Sequence, residues 1–393
     1  MKRLPKINLI WKILIAIGLG IGLGLVGPDW MARLCATFNG IFSQFLGFVI
    51  PLIIVGFVTP AIAEVGARAG RLLVATVALA YFATFLAGML AYFAGVLTFP
   101  SLIEGVPEVA AVEQGSAIEP WFTVEIPSPM PVMTALVLSF VLGVGIAFIK
   151  GDTLRSGFTE LREIVQKTIN VAIIPLLPFF IFGIFYNMTA DGMAGTVMGS
   201  FIKVIAVIFV LHVVILVAQY LVASLFNGGN PFRMLRTMLP AYLTALGTQS
   251  STATIPVTLK QAQKLGVDEQ VAGFVIPVCA TVHMSGSAMK ITACALALLI
   301  MHGEPHDLSL FINFVAMLGI TIVAAPGIPG GAIMAALGIL TSILGFDEQM
   351  IALMISLYIA MDSFGTACNV TGDGALAVIL NRFFGKSRKV ARG

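Results

Sequence analysis

Near the end of the chain, one helical stretch carries two carboxylates among apolar residues. Four polar residues spaced i, i+4, i+7 and i+11 share one helix face there: Asp362, Thr366, Asn369 and Asp373. Carboxylates inside an apolar, lipid-embedded helix are costly unless paired or solvated, so they indicate a functional site. Hard cations such as sodium take several oxygen ligands, which this face supplies. The alternative is structural, with the aspartates paired to Lys290 or to backbone donors.

A polar interruption at 281–287 lies within the preceding apolar stretch. It adds the Thr281 hydroxyl and free backbone carbonyls, both suited to a cation. His283 titrates near neutral pH when unperturbed and could exchange protons, although such a residue is more often a neutral core histidine. Met284 fills a core gap or contributes a soft contact to a cation site, and the sequence leaves both open.

Lys290 stands in the middle of the apolar stretch 271–301. From that position a lysine side chain cannot easily reach the membrane interface. The sequence therefore predicts that Lys290 pairs with a carboxylate or meets an anionic substrate.

Two further apolar segments are interrupted. Residues 237–259 are broken around Gln249–Thr252, and 308–344 is broken at 326–331. Non-helical backbone at membrane depth is tolerated only where protein or water satisfies it, and broken helices in transporters present helix ends to substrate and ions. The N–H groups and hydroxyls at Gln249–Thr252 suit an anionic group. The alternative is a pair of kinked packing helices.

The composition places these residues in a membrane protein. Of 393 residues, 59% are hydrophobic and 10% are charged, whereas soluble domains carry about 25% charged residues. The net charge of +3 is too small to indicate a nucleic-acid partner. The four cysteines show no metal-ligand spacing. No cofactor is expected apart from sodium ions or protons as coupling ions.

Six ordinary spans are predicted near 10–28, 40–62, 72–98, 130–149, 168–188 and 200–226, since about 20 apolar residues cross a bilayer. Basic residues at both chain ends and in alternate connections place the N- and C-termini in the cytoplasm. The acidic connection 101–120 would face outwards. We therefore expect a multi-pass protein of the cell (inner) membrane that contacts the lipid bilayer.

An enzyme is not expected, because the sequence offers no nucleophile–base pair. Asp362 and Asp373 would lie about 16 Å apart along a helix axis, too far for joint acid–base chemistry. A channel would need a continuous polar stripe, whereas the polar residues cluster at one depth. A channel or a substrate sensor remains the less favoured alternative to a transporter.

The motifs resemble those of the dicarboxylate/amino acid:cation symporter family, the glutamate transporter family, over nearly the whole chain. A serine-rich first hairpin tip falls on 249–258, and a Gly-x-Pro-Gly second tip falls on 327–330. The broken seventh helix of the family falls on 283–286, and the Asp…Thr…Asn…Asp motif of its eighth helix on 362–373.

The resemblance implies an all-α polytopic membrane protein with eight transmembrane helices, two re-entrant helical hairpins and an elevator-type mechanism. It implies a homotrimer. Scaffold helices 1–2 would occupy 1–70 and scaffold helices 4–5 would occupy 100–195, with transport-domain helix 3 at 71–99. The remainder of the transport domain, 196–393, would hold helix 6, hairpin 1 (237–264), helix 7 (270–302), hairpin 2 (307–345) and helix 8 (349–382).

The resemblance also implies ligand roles. Asp362 would hold a substrate amino group, with Asn369 and Thr366 on the main-chain carboxylate or amino group. Together with the position Gly365 and the two closing tips, the expected substrate site comprises Gln249, Ser250, Ser251, Thr252, Ile328, Pro329, Gly330, Asp362, Gly365, Thr366 and Asn369. One sodium site would use Asp373 with carbonyls of Cys279, His283 and Asn369. A second would use Thr281 and Met284 with carbonyls of hairpin 2.

The chain departs from the family pattern at several of these positions. The arginine that recognises an acidic side chain is Gly365, and the motif's Asn and Asp are His283 and Ser285. A third sodium site is therefore expected to be missing. Because an arginine and a carboxylate are lost while Lys290 is gained, we hypothesise that Lys290 supplies a cation, either replacing a sodium ion or binding an acidic group of the substrate.

The sequence thus predicts a secondary-active symporter that moves an amino acid or a dicarboxylate with a cation, sodium being favoured. The alternative is a proton-coupled, sodium-independent member that uses His283 or Lys290.

Overall fold

The computed structural model describes residues 9–67, 70–103, 118–192, 194–323, 325 and 330–385. Within these ranges the chain is almost entirely helical and contains no strand, which confirms the all-α prediction. Ile328 and Pro329 of the expected second tip lie outside the described residues. So do the three glutamates of 104–117 and the basic residues of both chain ends.

The first half of the fold contains long apolar helices such as Asp29–Ala67 and Arg71–Ile103. The second half is divided into shorter helices that end inside the protein. A π-helical turn at Ile169–Ile173 joins the helices Thr153–Thr168 and Ile174–Ala190 without a break. In chain order, the helices are α1 Leu9–Gly24, α2 Asp29–Ala67, α3 Arg71–Ile103, α4 Val132–Phe148, α5 Thr153–Thr168, α6 Ile174–Ala190, α7 Ala194–Asn227, α8 Pro231–Thr248, α9 Ser251–Lys264, α10 Glu269–Val282, α11 Ser285–Met301, α12 Leu308–Val323, α13 Gly331–Leu344, α14 Glu348–Ala360 and α15 Asp362–Phe384.

Several of these helices are long and apolar enough to cross a membrane. Among the described residues, five helical segments meet this criterion by length and composition, and α14 with α15 forms a sixth, bent one. The five are Asp29–Ala63, Arg71–Ile103, Thr153–Ala190, Val197–Asn227 and Glu269–Met301. The predicted total of eight also needs the shorter α1 and α4 to cross, and it stays a prediction.

Helices α8 and α9 form a helical hairpin. Its first helix begins at Pro231, six residues before the predicted start, because the Asn230 side chain accepts hydrogen bonds from the backbone of Phe232 and Arg233 and caps it. Gln249 ends α8 in the left-handed conformation, with φ of 55°. The two helices pack on each other across this short connection, as do α12 and α13 across the second interruption.

Two membrane spans are broken in the middle. Helix α10 ends at Val282 and α11 begins at Ser285, where the sequence predicts a polar interruption. The last span, predicted as helix 8 over 349–382, bends by 61° between α14 and α15, at Met361. At the bend, the Met361 carbonyl accepts backbone hydrogen bonds from Phe364 and Gly365, and it also accepts one from the Lys290 ammonium.

Packing brings the broken helices together. The α10–α11 span is the most enclosed of the long apolar helices described, with 94% of its apolar window buried. Helix α11 packs on α3 and α15, while α15 also packs on α7, α8 and α9. Helices α1, α2, α4 and α6 make most of their contacts with one another. The assignment of these groups to a scaffold and a transport domain remains a prediction.

Candidate functional site

A small cavity lies where the helix ends of the second half converge. It contains about 40 Å³ of space for the centres of water molecules, enough for a few waters or one compact solute. The tip of the α8–α9 hairpin, the start of α13 and both span breaks contribute to it. Its lining residues are Gln249, Ser250, Ser251, Thr252, Ala280, Met284, Ser287, Gly331, Ala332, Tyr358, Asp362, Thr366 and Asn369.

The hairpin tip presents the N-terminus of α9 to this cavity. Ser250 caps the helix, because its Oγ accepts a hydrogen bond from Ala253 N at 3.2 Å. Its carbonyl accepts from the Thr254 hydroxyl at 2.8 Å. The first N–H groups of a helix have no acceptor within the helix, and they carry the positive end of its dipole. The tip is therefore suited to a carboxylate, as the sequence predicts.

The start of α13 meets Asp362 from another side. Gly330 adopts a φ of 77°, which suits glycine, and its N–H donates to Asp362 Oδ2 at 2.7 Å. Asp362 is only 4% exposed, yet it lines the cavity. Its carboxylate thus ties the second hairpin to the bend between α14 and α15.

Lys290 lies behind Asp362 rather than among the residues that line the cavity. Its side chain is fully buried, and Nζ is 3.4 Å from Asp362 Oδ1 and 3.3 Å from the Met361 carbonyl oxygen. The ammonium also stands 3.8 Å from the centre of the Tyr358 ring, a cation–π arrangement. The expected pairing of Lys290 with a carboxylate is present. A direct contact with substrate stays a prediction.

Gly365 makes room for this lysine. A Cβ atom added at position 365 would stand 2.5 Å from Lys290 Nζ, and it would also collide with Cε. The lysine tail therefore fills the space that any side chain at position 365 would enter. This contact explains physically why glycine and lysine occur together at these two positions.

Asn369 fastens one span break to the other. Its Oδ1 accepts from Gly286 N at 2.8 Å and from Ser287 N at 3.3 Å, at the start of α11. Its Nδ2 donates to Ser287 Oγ at 3.0 Å, and that oxygen also accepts from the Tyr358 hydroxyl at 3.2 Å. Asn369 thus caps α11 and also lines the cavity.

Asp373 lies deeper in α15 and outside the cavity lining. Its Oδ1 is 2.9 Å from His283 Nδ1, and both side chains are buried. The other ring nitrogen, Nε2, is 2.6 Å from Ser285 Oγ. An ionised carboxylate only accepts hydrogen bonds, so it pairs with a protonated Nδ1, and in a neutral ring Nε2 would then accept from the serine. Gln219 donates to the same serine oxygen at 3.2 Å.

The remaining predicted cation ligands surround the break between α10 and α11. The Cys279 carbonyl already accepts from His283 N at 2.8 Å, and the Thr281 hydroxyl donates to the Val278 carbonyl at 2.9 Å. Met284 lines the cavity. Within the described ranges no three His, Cys, Asp or Glu side chains come together as a metal site, so a sodium site here would depend on backbone carbonyls.

Sequence reasoning did not single out three of the site's side chains. Ser287 lies within the predicted interruption 281–287 but was not assigned to the site, and Tyr358 reaches it across the bend at Met361, which no helical spacing predicts. Gln219 is a polar residue inside the apolar helix α7, which is itself a signal of function.

Comparisons with known proteins find relatives along almost the whole chain. A family model described as the sodium:dicarboxylate symporter family matches residues 9–383. A protein named serine/threonine transporter SstT, from Acinetobacter baumannii, is 28% identical over 390 residues, which covers 94% of this chain and 95% of the relative. The protein of the same name from a second strain of that species is 27% identical over 389 residues, with the same coverage of both chains.

Proposed function

The chain belongs to the sodium:dicarboxylate symporter family and is a secondary-active symporter, and we propose that it carries a small amino acid or dicarboxylate with sodium as the coupling cation. It is a multi-pass membrane protein, and its family and named relatives are transporters rather than enzymes. We also propose that it lies in the inner membrane with both termini in the cytoplasm, and that it needs no cofactor besides the coupling ion.

The observation that carries this proposal is the convergence of broken helix ends on one small polar cavity. The starts of α9 and α13 offer N–H groups, while Asp362, Thr366 and Asn369 offer side-chain partners. A lipid-embedded protein keeps such groups at membrane depth only where they meet protein, water or ligand. Two helix N-termini favour a carboxylate, and the small size of the cavity favours a compact solute.

The name of the relatives supports a small substrate, because it describes a transporter of serine and threonine. Gly365 provides no charged side chain for a second acidic group of the substrate. The Lys290 ammonium lies within the space next to that glycine and is paired with Asp362. The name of the relatives favours an amino acid and the description of the family favours a dicarboxylate, so the proposal includes both.

The proposed sodium site centres on Asp373. With a neutral His283, the Asp373 carboxylate keeps its negative charge, and carbonyls of Cys279, His283 and Asn369 would complete the oxygen ligands. Thr281 and Met284 would contribute to a second site. Met284 N donates to the Thr84 hydroxyl at 3.1 Å, which links this break to α3.

Proton coupling is the second candidate, and one observation favours it. His283 Nδ1 stands 2.9 Å from Asp373 and takes up one direction from which a sodium ion would approach the carboxylate. Lys290 already neutralises Asp362 in the same way. A proton-driven symporter would use these in-chain groups in place of bound sodium.

We propose further that transport follows an elevator movement within a homotrimer. Helices α3 and α7–α15 would move as a body against α1, α2 and α4–α6. The hydrogen bond from Gly330 N to Asp362 would hold the second hairpin closed over the cavity during that movement.

Uptake by the purified protein in liposomes tests the proposal. A panel of radiolabelled amino acids and dicarboxylates is offered under a sodium gradient and then under a proton gradient alone. We expect saturable uptake that requires sodium. Uptake driven by protons without sodium would replace the first candidate with the second, and uptake that ignores both gradients would overturn symport.

A matched pair of variants locates the substrate in the cavity. Thr366→Val removes a hydroxyl that lines the cavity. It should lower the affinity for substrate by about tenfold, because one hydrogen bond to the substrate is lost. Thr371→Val changes a buried threonine of the same helix outside the cavity lining and should leave uptake unchanged. Equal effects of the two substitutions would place the substrate elsewhere.

A further inference from the structure

We propose that Lys290 is a specificity-determining residue. Because its ammonium is already paired with the Asp362 carboxylate, the site selects small carboxylates that bear a hydroxyl group over those that bear an ammonium group. This inference rests on the proposed symport of a small carboxylate and narrows its substrate class. Lys290 acts through Asp362 and is therefore a positioning residue rather than a contact of the substrate.

The argument starts from the charges around the cavity. A lone buried carboxylate at a binding site attracts a cation, and the ammonium group of an amino acid would serve. Here Asp362 is not alone, because Lys290 Nζ lies 3.4 Å from one of its oxygens. The lysine is fully buried, and the Met361 carbonyl and the Tyr358 ring hold its ammonium beside Asp362.

A substrate ammonium would therefore meet a carboxylate whose charge is already neutralised. It would also share Asp362 with a second ammonium, and like charges placed side by side in a desolvated site weaken binding. A hydroxyl group avoids this repulsion. Asp362 accepts from Gly330 N and Lys290, and a carboxylate has about four lone-pair sites. Room remains for one hydroxyl donor from the substrate.

The helix starts that line the cavity favour the carboxylate that such a substrate carries. The starts of α9 and α13 both line it, through Ser251 and Gly331, and both present N–H groups. With Asp362 neutralised by Lys290, these N–H groups leave the cavity with a net attraction for an anion. A 2-hydroxycarboxylate places its hydroxyl one carbon from its carboxylate, which suits so small a space.

Gly365 is the second residue that determines this selectivity. Lys290 passes position 365 on its way to Asp362, and a Cβ atom there would lie 2.5 Å from Nζ. A methyl group at 365 would push the end of the lysine aside and lengthen its contact with Asp362 without removing its charge from the protein. Lys290 and Gly365 therefore make separate, testable contributions to the same selectivity.

The test uses pairs of compounds that differ only in a hydroxyl or an ammonium group. The full-length protein in liposomes is offered radiolabelled L-glycerate or L-serine, and L-malate or L-aspartate, with sodium and proton gradients applied together. For the wild type we expect the hydroxy acid of at least one pair to be taken up about tenfold more efficiently than its amino partner. In Lys290→Met the ratio should shift by about tenfold or more towards the amino acid.

The ratio within a pair separates selectivity from folding, since a damaged protein takes up both members less and leaves their ratio unchanged. Gly365→Ala should shift the ratio in the same direction by a smaller factor. If Lys290→Met does not insert into the membrane, the comparison of Gly365→Ala with the wild type serves as the test. Lys203→Met, an exposed lysine bonded to the Leu102 carbonyl, is the matched control and should leave the ratio unchanged.

Two results would overturn the inference while symport stands: amino acids preferred by the wild type in both pairs, or ratios unmoved by both Lys290→Met and Gly365→Ala. The absence of gradient-driven uptake for every compound would instead overturn the proposed function.

Discussion

The two buried carboxylates of α15 receive different partners. Asp362, at the start of the helix, accepts hydrogen bonds from a lysine ammonium and a backbone N–H, and it lines the cavity. Asp373, three turns further along, accepts from an imidazole and lies away from the cavity. The first is paired with a lysine ammonium, whereas the second is paired with a histidine that is charged only if protonated. In the proposed function, the first carboxylate faces the substrate and the second faces the coupling cation.

The two carboxylates share one feature, a glycine that makes room for the partner. Each carboxylate has a glycine on α15 that admits its partner, at positions seven residues apart and so on one face of the helix. A Cβ atom at Gly365 would lie 2.5 Å from Lys290 Nζ, and one at Gly372 would lie 2.5 Å from His283 Cε1. The glycines differ in what they face, a flexible tail in one case and a planar ring in the other.

The largest expected effect comes from removing one charge at a time. Asp362→Asn leaves Lys290 buried without its counter-ion and should lower the free energy of unfolding by about 3–5 kcal/mol. Asp373→Asn weakens a hydrogen bond to a neutral ring and should cost about 1–3 kcal/mol. Unfolding in mixed detergent micelles, followed by circular dichroism, compares the two variants directly.

A double substitution serves as the control for this prediction. Asp362→Asn combined with Lys290→Met removes both charges and should recover most of the stability lost in the single variant. If Asp373→Asn proves as damaging as Asp362→Asn, then His283 is charged as well. The difference between the two carboxylates would then disappear, and the proton-coupled alternative would gain support.

Sequence reasoning recovered the carboxylates but not their surroundings. The spacing of Asp362 and Asp373 predicts one helix face, and the serine and glycine clusters predict the interruptions, because periodicity and turn chemistry are local properties. The partner that each carboxylate takes is set by tertiary packing. Lys290 was expected to find a carboxylate, yet nothing local distinguishes Asp362 from Asp373. The 61° bend at Met361 also had no local signal such as glycine or proline.

The two glycines give the second prediction. Gly372→Ala forces a methyl group against the His283 ring, which is held at both nitrogens, and against Gln219 Oε1 at 2.6 Å. Overpacking of this kind should lower the free energy of unfolding by about 1–3 kcal/mol. Gly365→Ala meets the end of a flexible lysine and should cost about 1 kcal/mol or less.

A third glycine provides the reference for both. Gly273 lies within α10, and a Cβ atom there would have nothing within 4 Å. Gly273→Ala should therefore be neutral or stabilise the helix by about 0.5–1 kcal/mol. A larger loss in Gly365→Ala than in Gly372→Ala would show that the lysine, rather than the histidine, is the more rigidly held partner.

The smallest expected effect concerns Gln219, the residue behind the histidine. Its Nε2 donates to Ser285 Oγ at 3.2 Å, while its Oε1 accepts no hydrogen bond among the described residues. Gln219→Leu removes one hydrogen bond, which destabilises the protein, and one buried oxygen without a partner, which stabilises it. These two effects should nearly cancel, so the free energy of unfolding should change by no more than about 1 kcal/mol.

Gln263→Leu, at an exposed glutamine of α9, is the control for the added apolar surface. A loss above about 3 kcal/mol in Gln219→Leu alone would show that the amide holds the His283 ring in place. The Asp373 region would then be an extended polar network, unlike the self-contained pair at Asp362.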